Sequence, residues 1–334
     1  MIPRMRAVPL CFLVAAAASV APLPAAAHET WLTAVVPAPA PAPPTPRPAG
    51  AKAKAAAPAP ARPQRPGLVS GDSGVVELCT GGKFPVSDSA VAPERVDRTF
   101  VRFGAGRPMP MTGAKADGTV TRLEATYAGS GLAVLGVALH PKFIELAPAE
   151  FDAYLEEIGA TAALEERRRR KETKRPGREV YTKTAKAFAL VAEPRTRSKG
   201  AAGLDGAAEP LGLPLEFVVS GNPLELRAGG SLSATLVRDG RPLGGQAVRV
   251  LGEDGVPSLV ATDEAGRVSV PLAREGRLLL AATSMRRTTK EDRKRGDAFK
   301  KAEWESVWAS LQVRVLPAPP AAAPAPTPKA RKKR

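Results

Sequence analysis

SLSATLVRDGRPLGGQAVRVL, residues 231–251, reads as a strand, a turn and a second strand. Leu232, Ala234 and Leu236 alternate with polar residues, so they share one face of an extended segment. Asp239-Gly240 is hairpin chemistry, because glycine takes the positive φ that a tight two-residue turn demands. Arg241-Pro242-Leu243-Gly244-Gly245 leads into Ala247–Leu251. Further on, Thr262-Asp263-Glu264-Ala265-Gly266 makes another turn before Val268–Leu272, and Leu278–Thr283 is apolar enough for a buried strand. The last strand alternates cleanly. Val307, Ala309, Leu311, Val313 and Val315 face one way, and Trp308, Ser310, Gln312 and Arg314 face the other. Many short strands with regular turns define a β-sandwich over residues 221–316.

Working outward, residues 71–220 carry more strand-like runs at Val75–Cys79, Thr99–Phe103, Val120–Tyr127, Leu132–Leu139 and Lys142–Leu146. One amphipathic helix near 148–171 interrupts them. Pro148 suits its first position, and Phe151, Tyr154, Leu155, Ile158 and Ala162 form one stripe. Acids in its early turns and the run Arg167-Arg168-Arg169-Arg170-Lys171 at its end complement the helix dipole. That run reads first as a solvated helix end and second as an anion-binding patch. The expected class is therefore mainly β, with two sandwich-like domains. A lysine- and arginine-rich loop, Arg286 to Lys301, precedes the last strand and is expected to be exposed.

The ends have a different character. Arg4 and Arg6 precede an apolar run from Val8 to Val20, and Ala25-Ala26-Ala27 precedes His28. That order is a cleaved signal peptide over 1–27, with an apolar core too short to span a bilayer, which takes about 20 residues. The mature chain is then periplasmic or extracellular, with no transmembrane segment and with a strand over 28–36. Residues 37–70 are a Pro/Ala-rich linker, and 317–334 form a Pro/Ala-rich tail that ends in basic residues. Neither has the apolar content to bury a core, so both are expected to be disordered spacers. The formal charge is +16, which draws a protein to anionic surfaces such as envelope polymers. Nucleic acid is disfavoured because the charge lies in runs and tails and aromatics are few. Export leaves one thiol, Cys79, so no intramolecular disulfide can form. It reads as a small buried residue before it reads as a reactive one.

Catalytic chemistry is scarce. The sequence holds only two histidines, His28 and His140, which rules out a three-histidine zinc site. HExxH, a GxSxG elbow, a Walker A loop and a dinucleotide-binding glycine pattern are all absent. The expectation is a protein without enzymatic activity. His28 is the sharp feature. After cleavage its α-amine and imidazole could close a chelate ring on one metal ion, a nitrogen pair suited to copper or nickel. The plain alternative is a residue that cleavage happened to expose. His140 could add a third nitrogen if the fold brought strand ends together, although His140-Pro141 reads by default as a solvent-facing turn.

Several segments resemble a known family in their order: HETWL, HPKFIELAPAEFDAYLEEIG, REVYTKTAKAFALV, LGLPLEFVVSGNPLEL, DGRPLGGQAVRV, TDEAGRVSVPL and AEWESVWASLQVRV. It is a bacterial periplasmic family of unknown function, associated by name with nickel uptake (the NikM-like substrate-specific component family). The resemblance implies an exported, mostly β protein with an immunoglobulin- or prealbumin-like C-terminal half and no known enzymatic activity. It also implies an association with a membrane metal-transporter component. His28 and Trp31 match the family's start. Glu179, Tyr181 and Lys186 match a polar cluster, Asn222-Pro223 and Thr262-Asp263-Gly266 match turns, and Trp304 and Glu305 precede the last strand. The long spacer after residue 36 and the basic tail depart from the pattern.

Two functions follow from this reading. One is an accessory protein that binds nickel, cobalt or copper at His28, with His140 as a second ligand. The other is a cell-envelope module held to anionic polymers by its basic segments.

Overall fold

The computed structural model describes residues 28–35, 68–192 and 206–319. The expected signal peptide, nearly all of the linker and the basic end of the tail lie outside these residues. Among the described residues, seventeen strands form three sheets. The first sheet has the order β1 (Glu29–Val35), β3 (Ser73–Gly81), β6 (Val120–Thr126), β5 (Thr112–Asp117). A large central sheet runs β14 (Ser258–Ala261), β13 (Ala247–Gly252), β16 (Gly276–Arg287), β17 (Trp304–Val315), β9 (Gly177–Ala192), β7 (Gly131–Leu139), β4 (Val96–Phe103). Two short strands, β2 (Leu68–Val69) and β8 (Lys142–Leu146), also pair with β9. The third sheet holds β10 (Leu215–Ser220), β11 (Ser231–Arg238), β12 (Arg241–Pro242) and β15 (Arg267–Pro271).

Two sandwiches share that central sheet. On one half, Leu32, Val76, Leu78 and Leu123 of the first sheet bury against Leu135, Val137, Ala185 and Val191. On the other, Leu215, Phe217, Leu232 and Leu236 of the third sheet bury against Val248, Leu280, Leu311 and Val313. The alternation read in 231–238 and 307–315 therefore does what it implies: it turns one face of each strand into a common core. Mainly β architecture with sandwich-like sheets is the class of this fold.

The division expected at 220/221 does not separate two sheets. β9 pairs in parallel with β17 from Trp304↔Glu179 to Gln312↔Ala187, which joins the two halves by backbone hydrogen bonds. β10, expected to end the first domain, pairs with β11 from Leu215↔Arg238 to Ser220↔Ser233. The reason is burial: Leu215, Phe217 and Val219 present an apolar face that only the second core can cover. A buried ion pair fastens this strand to the central sheet. Lys186 Nζ donates to Glu216 Oε2 at 2.7 Å and to the Phe217 carbonyl at 3.0 Å. Glu216 also accepts the amides of Leu211, Gly212 and Leu213 at 2.9, 2.8 and 3.1 Å, so its charge is well satisfied.

The expected single helix is two. α1 (Pro148–Glu157) and α2 (Thr161–Arg169) break at Gly159, whose φ of 70° suits a glycine. Phe151, Tyr154, Leu155 and Leu164 cap Trp304 and Trp308 at one end of the central sheet. A short helix, α3 (Asp297–Lys301), buries Phe299 beside Val180. The arginine-rich loop before β17 is partly tied down. Arg286 bonds Asp292 through both terminal nitrogens at 2.7 and 2.9 Å, and Arg295 reaches Glu305 at 2.6 Å. No described helix is long and apolar enough to cross a membrane.

Candidate functional site

β1 gives the N-terminal segment a fixed place. It pairs with β3 in antiparallel register from Glu29↔Gly81 to Val35↔Val75. Trp31 is 1% exposed and meets Phe84 edge to face, with ring centroids 5.4 Å apart. Thr33 donates to Gln312 at 3.1 Å, and Ser310 donates to the Thr30 carbonyl, so β1 is also bonded to β17 across the sandwich. Glu29 is buried and pairs with Arg249, whose guanidinium lies 5.7 Å from the Trp308 ring. Lys183 of β9 donates to the His28 carbonyl. His28 precedes the first residue of β1 and is exposed, whereas Glu29, Thr30, Trp31 and Leu32 are all buried.

His28 stands at a cavity of about 350 Å³, with Ser89, Arg95, Lys142, Tyr181 and Lys183 also in its wall. A 3₁₀ turn (Pro93–Arg95) carries Arg95, whose guanidinium lies 5.3 Å from the Tyr181 ring centroid. Lys183 sits 5.7 Å from the same ring and 4.9 Å from that of Trp308. Burial pushes the Lys183 amine down to about 8. Arg95 and Arg249 push the same way, while Glu29 and Glu179 oppose. Glu29 titrates above the usual carboxylate range: burial outweighs the pull of Arg249 and Lys183.

Glu179 lies behind this cavity. Its Oε1 accepts Tyr154 Oη at 3.0 Å and the Ser306 hydroxyl, and Trp308 Nε1 donates to Ser306 Oγ at 3.0 Å. Its Oε2 has no hydrogen-bond partner. Burial lifts the carboxyl to about 7 against those hydrogen bonds.

The residues singled out in the sequence fall in different places. His28 lines the cavity. His140 does not: its imidazole faces Asp97 at 3.7 Å and is about half exposed, while its amide bonds the Arg95 carbonyl at 2.7 Å. The two histidines are not gathered into one ligand set, and no cluster of three or more His, Cys, Asp or Glu side chains able to hold a metal occurs among the described residues. Cys79 is buried and its thiol is pushed up to about 11 by burial, which keeps it protonated and unreactive. The basic run at the end of α2 is not wholly solvated. Arg167 is buried over the Phe151 ring and bonds Asp152 at 2.7 Å and the Arg175 carbonyl at 3.0 Å.

Of the residues carried by resemblance, Tyr181 lines the cavity. Glu179 and Lys186 belong to separate buried networks, and Trp304 stacks under Arg287, 4.1 Å from its guanidinium. Arg95, Lys142 and Lys183 escaped the sequence reading. The one signal available was two lysines, 183 and 186, inside the otherwise apolar run VYTKTAKAFALV.

Fold and site together define a β-sandwich protein with a docked N-terminal strand and a polar cavity at its head. The chain belongs to the family described as a domain of unknown function (DUF4198), whose profile matches residues 61–286. No curated protein matches it. Among solved structures it is similar to the D0-D1 domain of intimin, at 10% identity and a TM-score of 0.18, over 75% of this chain and 93% of that one. It is also similar to a Ca2+-stabilized adhesin from an Antarctic bacterium that binds ice. There the identity is 10% and the TM-score 0.20, over 75% of this chain and 45% of the other. The fibronectin(III)-like modules of Clostridium thermocellum CbhA match at 10% identity and a TM-score of 0.19, over 78% of this chain and 94% of theirs. The fold assignment rests on the sheets of this chain itself.

Proposed function

We propose that this chain is an exported, non-enzymatic binding protein. In this reading it takes a transition metal (nickel, cobalt or copper) at His28 and presents it to a membrane transporter component. The observation that supports this reading is the docking of β1. A strand paired along its whole length, anchored by Trp31 and by the buried Glu29–Arg249 pair, holds the His28 imidazole at a fixed, exposed point. Signal cleavage before His28 would place an α-amine beside that imidazole. The amine titrates near ~7.7–8, low enough for a metal to displace its proton. His140 is not needed, because its imidazole faces Asp97 instead.

The test is a calorimetric titration of Ni(II), Co(II), Cu(II) and Zn(II) into protein whose first residue is confirmed as His28 by mass spectrometry. The control carries one alanine before His28. One-to-one binding that the extra alanine abolishes is the expected result. Equal binding in both proteins, or none in either, removes His28 from the function.

A further inference from the structure

The cavity beside His28 has a charge pattern that metal binding does not explain. Arg95, Lys142 and Lys183 line it, and no aspartate or glutamate among the described residues does. None of these three cations has an ion-pair partner among the described residues. Four of the arginines elsewhere that are at least partly buried are matched: Arg167 to Asp152, Arg249 to Glu29, Arg286 to Asp292 and Arg287 to Glu172. Arg95 differs from these four in having no ion pair among the described residues. Its Nε and Nη2 are shielded from solvent yet donate to nothing. Leaving such donors unmet costs about 1–3 kcal/mol per group. Tyr181 meets the guanidinium through its ring, a contact that brings no counter-charge.

We propose that this cavity binds a small oxyanion carrying two or more negative charges. Arg95, Lys142 and Lys183 would meet it with three positive charges that no carboxylate in the wall offsets. An arginine fork matches the paired oxygens of a carboxylate or a phosphate, whereas lysines act as point charges that tolerate either. A cavity of about 350 Å³ takes a molecule of several heavy atoms, at the small end of ligand sites. Ser89 in the wall carries a hydroxyl that can orient such a ligand, while Thr30 and Thr80 bond each other and Thr80 donates to the Glu29 carbonyl at 2.8 Å. The inference rests on the cavity alone and stands whether or not His28 holds a metal.

The experiment is calorimetric titration of citrate, and separately of pyrophosphate, into the metal-free mature protein, with acetate as the monovalent control. Saturable one-to-one binding of citrate or pyrophosphate is expected, weakened by salt and absent with acetate. The stronger of the two identifies a polycarboxylate or a phosphate ligand. Lys142→Gln, at an exposed residue, and Arg95→Gln should each lower the affinity by about tenfold or more. The alanine-extended protein should still bind, which separates this result from the metal reading. Absence of saturable binding by both anions overturns the proposal, and so does binding unchanged in Lys142→Gln. Because Lys142 is exposed, folding of that variant is not at stake.

Discussion

Glu179 shows what a single buried group does to this molecule. Tyr154 from α1 and Ser306 from β17 donate to one of its oxygens, Lys183 lies nearby on β9, and the other oxygen is unmet. Burial lifts its carboxyl to about 7, while an unfolded glutamate titrates near ~4.3. The folded chain therefore keeps a proton that the unfolded chain releases. The stability this group contributes is full below about pH 4 and is lost as pH rises through about 7. Glu179→Gln keeps both accepted hydrogen bonds and cannot ionise. From about pH 4 to about pH 8, wild type should lose roughly 3 kcal/mol relative to this variant, read from urea midpoints. A difference that stays constant across that range would show that Glu179 is ionised in the folded state throughout. None of this is visible in the sequence, where Glu179 is one acid among thirty-three acidic residues.

Among the elements, β9 departs most from the sequence expectation. Its sixteen residues form the middle of the central sheet, yet the strand reading passed over them. The cause is its composition. Lys183, Thr184 and Lys186 interrupt the apolar alternation, and their partners (the His28 carbonyl, the Leu215 carbonyl and Glu216) lie far off in the chain. Strands that bury one face against water-exposed neighbours, such as β6 and β11, were legible because their alternation is a local property. The helix was legible as an amphipathic stripe, but its break at Gly159 was not. Where α1 meets β9 the packing is tight enough to test. A Cβ at Gly177 would collide with the Phe151 ring, which is fully buried. Gly177→Ala should cost about 1–3 kcal/mol, measured as a lower thermal midpoint, with binding at the N-terminal cavity retained. A neutral effect would mean that α1 shifts freely on the sheet.

For the whole molecule, the shared sheet sets the cooperativity. β17 gives one edge to β16 and the other to β9, so neither sandwich owns the central sheet. Heating should therefore produce one transition in calorimetry, not two. A fragment of residues 221–316 lacks both β9 and β10, which exposes one edge of β17 and one face of its core. Expressed alone, it should show no cooperative melt by circular dichroism. A sharp independent melt would mean that this half is an autonomous domain after all. The site follows the same logic: β1, the 3₁₀ turn, β8 and β9 each contribute wall residues, from positions more than 150 residues apart in the chain.

The sequence by itself determined the mainly β class, the strands with one solvated face, the start of α1 and the singularity of His28. These are local properties, written in side-chain periodicity and residue type. Only the tertiary structure decided that two sandwiches share one sheet, that His140 stands apart from His28, and that Arg95, Lys142 and Lys183 converge beside it. Those outcomes depend on which distant strands pair, and pairing is settled by burying whole faces together rather than by any short stretch of chain.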